Sequence, residues 1–282
     1  MKTCVTSYSF SHAIGSGQLT LLDSIAKAKE IGFDTYEFAS IPTPEGMDDL
    51  EYCAKLAARA KECDIPVVQL SVGANLLTGG DEAVAKLKHY VDCAEVLGAV
   101  GMRHDIAFGL WEKRPFIWQD AVKFMAPAIR EVTEYAQAKG IKTMTENHGT
   151  IFQAPDRMVA LVREVNHPNY GLLVDIGNFI CCDVDPLLAV SETAPYAFHV
   201  HCKDFIMKPG TEPNPGGFGS TLCGNYFRGT VLGHGVIKVK QSLDLCKKYG
   251  FDGNVSLEFE GWEDNIKALE AGLAFMKRCM GL

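Results

Sequence analysis

Phe198-His-Val-His-Cys-Lys-Asp204 carries two histidines two positions apart, followed by a lysine and an aspartate. As a strand, the run puts His199 and His201 on one face, with Lys203 next in line, because alternate strand residues point the same way. Polar side chains on the inward face of an apolar strand are costly unless something binds them. Asp204 closes the run where a loop begins. Three other runs end in the same manner: Thr145-Glu-Asn-His148, Val174-Asp-Ile-Gly-Asn178 and Ser256-Leu-Glu-Phe-Glu-Gly261. Each places a carboxylate at a strand end. Together the four read as one metal-binding, proton-moving site.

Outward from this run, strand and helix patterns alternate along the whole chain. Strands are expected at 4–10, 35–39, 67–72, 101–106, 141–146, 170–175, 198–203 and 254–259. Helices are expected at 19–31, 47–63, 82–97, 117–139, 155–165, 185–193, 237–249 and 265–280. The punctuation supports them: Gly32, Gly98, Gly140 and Gly250 stop helices, Asp81 serves as an N-cap, and Pro155 opens a first turn. Pro127 falls inside the longest helix and predicts a kink. Eight βα units are the count of a closed (β/α)₈ TIM barrel, taken as a single domain over residues 1–282. A doubly wound open sheet is the alternative, but no GxGxxG or P-loop follows the first strand. One interval breaks the rhythm. Residues 205–236 are rich in Gly, Pro and Asn and lack an apolar period. On a barrel such a loop leaves the C-terminal face, where active sites sit, so it reads as a lid or specificity loop.

The 282 residues are 47% hydrophobic, enough for one large core, and carry a net charge of −8. The acidity argues against nucleic acid and anionic membrane as partners. No apolar run is long enough for a membrane span. The opening MKTCVTSYSF lacks a signal-peptide hydrophobic region, so a cytoplasmic location is expected. The ten cysteines are scattered without CxxC spacing, which reads as reduced thiols and argues against a cysteine-based zinc site.

On the barrel reading, Glu146, Asp175, His201 and Glu258 end four successive strands at one rim. Neighbouring strands lie about 4.8 Å apart, so the four can converge on one ion. Three carboxylates and an imidazole form a hard, mostly oxygen site. That favours Mn²⁺ or Mg²⁺, with Co²⁺, Fe²⁺ or Zn²⁺ as substitutes, and Mn²⁺ is the expected ion. Glu260 shares a face with Glu258, but Glu258 follows the apolar run directly and is preferred.

The motifs TENHG, LLVDIGN, HVHCKD, LGHG and VSLEFEG resemble the xylose isomerase-like TIM barrels, and within them the sugar phosphate isomerase/epimerase group. By that resemblance Glu146, Asp175, His201 and Glu258 are the metal ligands, and Glu146 and Glu258 are the catalytic acid and base. The implied reaction moves a proton through a metal-bound cis-enediolate of a small carbohydrate, cyclitol or hydroxy-keto acid. A dehydratase or lyase on the same chemistry, including C–glycoside cleavage, is the alternative. An abasic-site endonuclease would need more histidine ligands: Asn178 stands three after Asp175, where a histidine is expected both there and in the ketose 3-epimerases. A non-catalytic barrel subunit would show lost ligands, and the four are present. The fold's habit suggests a homo-oligomer.

Substrate contacts are assigned to Asn178, His199, Lys203, Arg228, His234 and His104. Arg228 is an anion clamp in this reading. Phe108 and Trp111 are candidates for an apolar wall against a sugar face. His148 would orient Glu146 or pack in the core. His89 and His167 read as surface histidines. Lys203, Lys208 and Arg228 form no evident phosphate nest, which favours a non-phosphorylated substrate.

Overall fold

The computed structural model describes residues 1–107, 117–149 and 151–282. Its first half runs β1 (Lys2–Thr6), α1 (Ser11–Gly15), α2 (Leu21–Ile31), β2 (Thr35–Ala39), α3 (Asp49–Glu62), β3 (Val67–Val72), α4 (Gly80–Leu97), β4 (Gly101–His104) and α5 (Trp118–Gln137). The second half runs β5 (Lys142–Glu146), α6 (Pro155–Val165), β6 (Tyr170–Asp175), α7 (Pro186–Thr193), β7 (Ala197–Cys202), β8 (Asp204–Lys208), β9 (Gly219–Ser220), β10 (Tyr226–Thr230), α8 (Val239–Lys248), β11 (Asn254–Leu257) and α9 (Asn265–Met280).

Strands β1 to β7 and β11 form a closed parallel barrel, sealed where β1 pairs with β11 through Cys4 opposite Ser256. This is the (β/α)₈ TIM barrel the periodicity predicts. Alternation divides each strand between two environments. Val5, Tyr36, Leu70, Met102, Leu172, Val200 and Val255 join the helix faces in one buried core. Each such side chain contributes about 1.5–3 kcal/mol by leaving water. The residues between them, including Glu37, Gln69, Arg103, Glu146, Asp175, His201 and Ser256, are polar yet equally buried. Burial of that many polar groups requires partners inside the barrel. Among the described residues, no helix is long and apolar enough to cross a membrane.

Local chemistry moves several boundaries. The first strand stops at Thr6, whose hydroxyl accepts from Tyr8 N and caps a 3₁₀ turn over Ser7–Phe10. Helix α4 starts at Gly80, so Asp81 lies in its first turn instead of capping it. Gly98 ends that helix at φ +75°, as its position predicts. Pro127 lies within α5.

The interval after β7 is more ordered than its composition suggests. β10 pairs antiparallel with β8 from Tyr226–Lys208 to Thr230–Asp204, and with β9 at Phe227–Gly219. The Asp183 carboxylate accepts from Thr221 Oγ1, Cys223 N and Asn225 Nδ2, which ties the turn before β10 to the segment after β6. Asp204 then draws the returning chain onto the barrel, accepting from Gly233 N, Gly235 N and Ile237 N at 2.9–3.0 Å. A Cβ at Gly235 would sit 2.2 Å from Asp204 Oδ1, so only glycine permits this approach. Gly and Pro mask the strand pattern of Asp204–Lys208 and Tyr226–Thr230, which is why this sheet was not expected.

Candidate metal centre and active site

The site begins with Glu37 on β2, inside the barrel. Its carboxylate accepts from Ser71 Oγ and Ser256 Oγ, both at 2.6 Å, and lies 2.9 Å from His201 Nε2. Burial pushes the Glu37 carboxyl up, but His201 and His199 outweigh it and hold it well below the usual range. An ionised carboxylate can only accept, so His201 Nε2 carries the hydrogen. That leaves Nδ1 turned the other way, toward the mouth of the barrel.

Around Nδ1 stand the three predicted carboxylates. Glu258 Oε2 is 3.7 Å away, Glu146 Oε1 3.9 Å and Asp175 Oδ2 4.0 Å. The four donor atoms lie within 4.8 Å of one another. Each is aimed by its own surroundings. Asp175 Oδ1 accepts from Gly177 N and Asn178 N, which turns Oδ2 into the cluster. Asn147 brackets the Asp175 backbone on both sides, donating to its carbonyl and accepting from its N–H at 2.9 Å. Glu146 Oε1 accepts from Asn178 Nδ2 at 3.0 Å and Oε2 from Arg103. Glu258 follows β11 directly.

 The Glu258 N–H to Cys202 O bond is 2.9 Å long and holds the residue in line with β7.

Lys203 completes the cluster. Its Nζ is 3.1 Å from Asp175 Oδ2, pairs with Glu258 and lies 3.8 Å from Glu260 Oε1. Burial opposes the charged lysine, yet Asp175, Glu258 and Glu260 raise it well above its ordinary value. The carboxylates divide in response. Burial raises Asp175 to about 6, with Glu146 and Glu258 adding to it against Lys203. Burial also pushes Glu258 up, but Lys203 and His201 prevail and hold it low. Glu260 is raised, by burial first and then by Glu258 and Glu146. Above the cluster opens a cleft of about 400 Å³, walled by Tyr8, Ser71, Arg103, His148, Lys203 and Glu260.

The structure thus brings together Glu146, Asp175, His201 and Glu258, with Lys203 and Asn178 touching them. It separates other candidates from the cleft. His199 lies below the cluster, 2.8 Å from Ser256 Oγ and 3.1 Å from Glu37 Oε2, and is 3% exposed. It braces the barrel interior through Ser256 and Glu37. His104 is fully buried on the outer side of β4, its ring 6.5 Å from that of Tyr170. Burial pushes it down to about 4. Strand alternation gives the inward place to its neighbour Arg103. His234 is exposed before α8 and does not line the cleft. Arg228 lies over the Trp262 ring at 4.7 Å and near Phe218 at 5.5 Å, also outside the cleft lining. Phe108 and Trp111 lie outside the described residues. His148 bonds Asp105 Oδ1 at 3.0 Å, and Arg103 meets the same oxygen at 3.1 Å.

Among the site residues not singled out from the sequence are Glu37, Arg103 and Tyr8. Glu37 had a signal, a lone acid in the apolar strand Thr-Tyr-Glu-Phe-Ala. Arg103 had one too, an arginine in Gly-Met-Arg-His at a strand end.

The chain belongs to the xylose isomerase-like TIM barrel family, whose model matches residues 25–279. Among curated proteins, a 2-epi-5-epi-valiolone 7-phosphate 2-epimerase from Actinoplanes sp. is 35% identical over 99 residues. That match spans about a third of each protein, 34% of this chain and 34% of the relative. Among solved structures, D-psicose 3-epimerase with D-tagatose from Clostridium cellulolyticum H10 has a TM-score of 0.75 at 17% identity, covering 99% of both chains. The IOLI protein with a binding zinc atom has a TM-score of 0.75 at 18% identity, covering 100% of this chain and 98% of its own. At these identities the structural likeness carries the fold.

Proposed function

We propose that this protein is a divalent-metal-dependent isomerase or epimerase of a small carbohydrate, cyclitol or hydroxy-keto acid, acting by proton transfer through an enediolate. The observation that carries the reading is the convergence of Glu146, Asp175, His201 and Glu258 within 4.8 Å under an open cleft. The donors fit a metal ion. His201 Nδ1 is buried and makes no hydrogen bond among the described residues, and Asp175 Oδ2 is met there only by the Lys203 ammonium at 3.1 Å and by that imidazole. Glu37 fixes the outer nitrogen of His201, the arrangement that orients an imidazole toward a metal. Five carboxylates, Asp105, Glu146, Asp175, Glu258 and Glu260, share two permanent cations, Arg103 and Lys203, and the imidazoles of His148 and His201. The excess negative charge favours a divalent cation. Three oxygens and one nitrogen suit Mn²⁺, with Mg²⁺, Co²⁺ or Zn²⁺ as alternatives; that the IOLI protein, of the same fold, binds a zinc atom supports a metal in this chain.

A divalent ion held by Glu146, Asp175, His201 and Glu258 would supply the positive charge that acidifies a C–H beside the substrate's carbonyl. Glu146 and Glu258 flank that position from strands separated by β6 and β7. One takes the proton and the other returns it on the opposite face. Arg103 and Asn178 keep the Glu146 carboxylate in place, and Lys203 and His201 keep Glu258 ionised and ready to accept. Tyr8, His148 and Glu260 line the wall where hydroxyl groups would bind. Lys203 is engaged by carboxylates and Arg228 lies outside the cleft, which supports a substrate without phosphate. The epimerases among the relatives support the reaction class.

The test is turnover of a panel of free and phosphorylated ketoses, inososes and hydroxy-keto acids with Mn²⁺, products separated by chromatography. An epimer or isomer, lost with EDTA and with Glu258→Gln, is the expected outcome. A dehydrated or cleaved product would move the assignment to a lyase. Cleavage of an abasic duplex, with no sugar converted, would overturn it.

A further inference from the structure

On the flank of the barrel, helices α3 and α4 pack together and bring Asp49, His89 and Cys93 to one point. Asp49 and Cys53 stand one turn apart on α3, and His89 and Cys93 one turn apart on α4. Residues at i and i+4 share a helix face, so each helix offers a ready pair. His89 Nε2 lies 3.0 Å from Asp49 Oδ2 and 3.8 Å from Cys93 Sγ. Donor atoms of Asp49, His89 and Cys93 all lie within 4.8 Å of one another. The buried Cys53 thiol neighbours that of Cys93 but lies outside this three-atom group. Thr43 donates its hydroxyl to the other oxygen of Asp49 and so fixes the carboxylate. Both thiols are fully buried, whereas the side chains of His89 and Asp49 are 40% and 37% exposed. An ion could therefore enter from solvent past the histidine and reach the sulfurs.

We propose that Asp49, His89 and Cys93 form a second metal site that takes Zn²⁺, that the neighbouring Cys53 thiol supplies its fourth ligand, and that the ion clamps α3 to α4. Two sulfurs, an imidazole nitrogen and a carboxylate oxygen are a four-donor set suited to tetrahedral zinc. The oxygen-rich cluster at the barrel mouth contains no sulfur, so the two sites select different ions. Thr43 plays the part of the outer partner that orients a ligand. Lys86, close enough to act on Asp49, offsets part of the negative charge that two thiolates and a carboxylate would leave around the ion. The absence of CxxC spacing does not count against this site, because its ligands come as two i,i+4 pairs from separate helices. The inference stands independently of the reading of the cleft.

Cobalt distinguishes the two sites in one protein. Co²⁺ is titrated into the full-length protein, purified under reducing conditions, and the near-ultraviolet and visible absorption is followed. Thiolate-to-cobalt charge transfer, with the visible bands of a tetrahedral ion and displacement by Zn²⁺, is the expected result. Asp175→Asn, at the barrel mouth, should leave the charge-transfer band intact. Cys53→Ser and Cys93→Ser should each weaken it. His89→Ala, at a partly exposed position that should not impair folding, should lower zinc affinity at least about tenfold in competition with a chromophoric chelator. No charge-transfer band in the wild-type protein would overturn the proposal. So would zinc affinity unchanged in His89→Ala, or a Cys53–Cys93 disulfide found by non-reducing peptide mapping of the fresh protein.

Discussion

Glu37 is the residue on which the geometry of the mouth turns, although it touches none of the three carboxylates. It holds His201 by the outer nitrogen and so presents Nδ1 to the cluster. Glu37→Gln should lower Mn²⁺ affinity about 10–100-fold, the usual cost of losing such a partner, with affinity read by calorimetry. An unchanged affinity would mean that His201 is oriented by packing alone. Lys203 is the second pivot. It is buried among Asp175, Glu258 and Glu260, and in the metal-free protein it is their counter-charge. Lys203→Met should destabilise the metal-free protein by about 3–5 kcal/mol, because removing one member of a buried pair leaves the other uncompensated. Urea unfolding in EDTA measures this, and added Mn²⁺ should recover part of the loss. Glu146, Asp175, His201 and Glu258 were legible because each ends a strand in a recognisable run. Glu37 was not, because its role depends on contacts with His201 and Ser256, 164 and 219 positions away along the chain. His104 lies away from the mouth for a local reason. At a strand end one residue faces the mouth and the next faces the helices, and Arg103 took the inward place.

At the scale of elements, eight strands and the helices between them were readable from periodicity and from stops such as Gly98, because those signals are local. The sheet of β8, β9 and β10 was not readable. Its stability comes from Asp183 and Asp204 reaching across to backbone N–H groups, and a composition rich in Gly and Pro conceals that. The tip of this insertion, residues 209–218, is largely exposed, and the sheet that carries it follows Lys203 directly. Shortening the tip while keeping β8 and β10 should change KM or substrate range and leave thermal stability nearly unaltered. Kinetics on two substrates of different length would check it. An identical profile would make the insertion a surface feature. The pairing of α3 with α4 through Asp49, Cys53, His89 and Cys93 was likewise hidden, since the two i,i+4 pairs are 40 positions apart in sequence.

For the whole molecule, the barrel depends on closing its first strand against its last and its second. Where β1 meets β2, the Asp34 carboxylate accepts from Thr3 N at 2.8 Å and Thr3 Oγ1 at 2.7 Å. Burial pushes this carboxyl up, but the two Thr3 bonds outweigh it and hold it below its ordinary value. A carboxyl lowered on folding stabilises the protein above its unfolded pKa, and that contribution fades as pH falls through the folded value. Asp34→Asn should therefore lower stability near neutrality and converge with the wild type in strong acid, as followed by urea unfolding across pH. A gap of constant size would remove the ionised carboxylate from the explanation. The central claim, that the mouth of this barrel moves a proton on a carbon acid, is tested most directly by deuterium exchange. The protein is incubated with Mn²⁺ in D₂O with each ketose, inosose and hydroxy-keto acid, and the substrate is followed by NMR. The account predicts deuterium at a single carbon beside a carbonyl, abolished by EDTA and reduced by at least about 10²-fold in Glu146→Gln. Exchange that persists in both, or none across the panel despite stoichiometric bound metal, would contradict it.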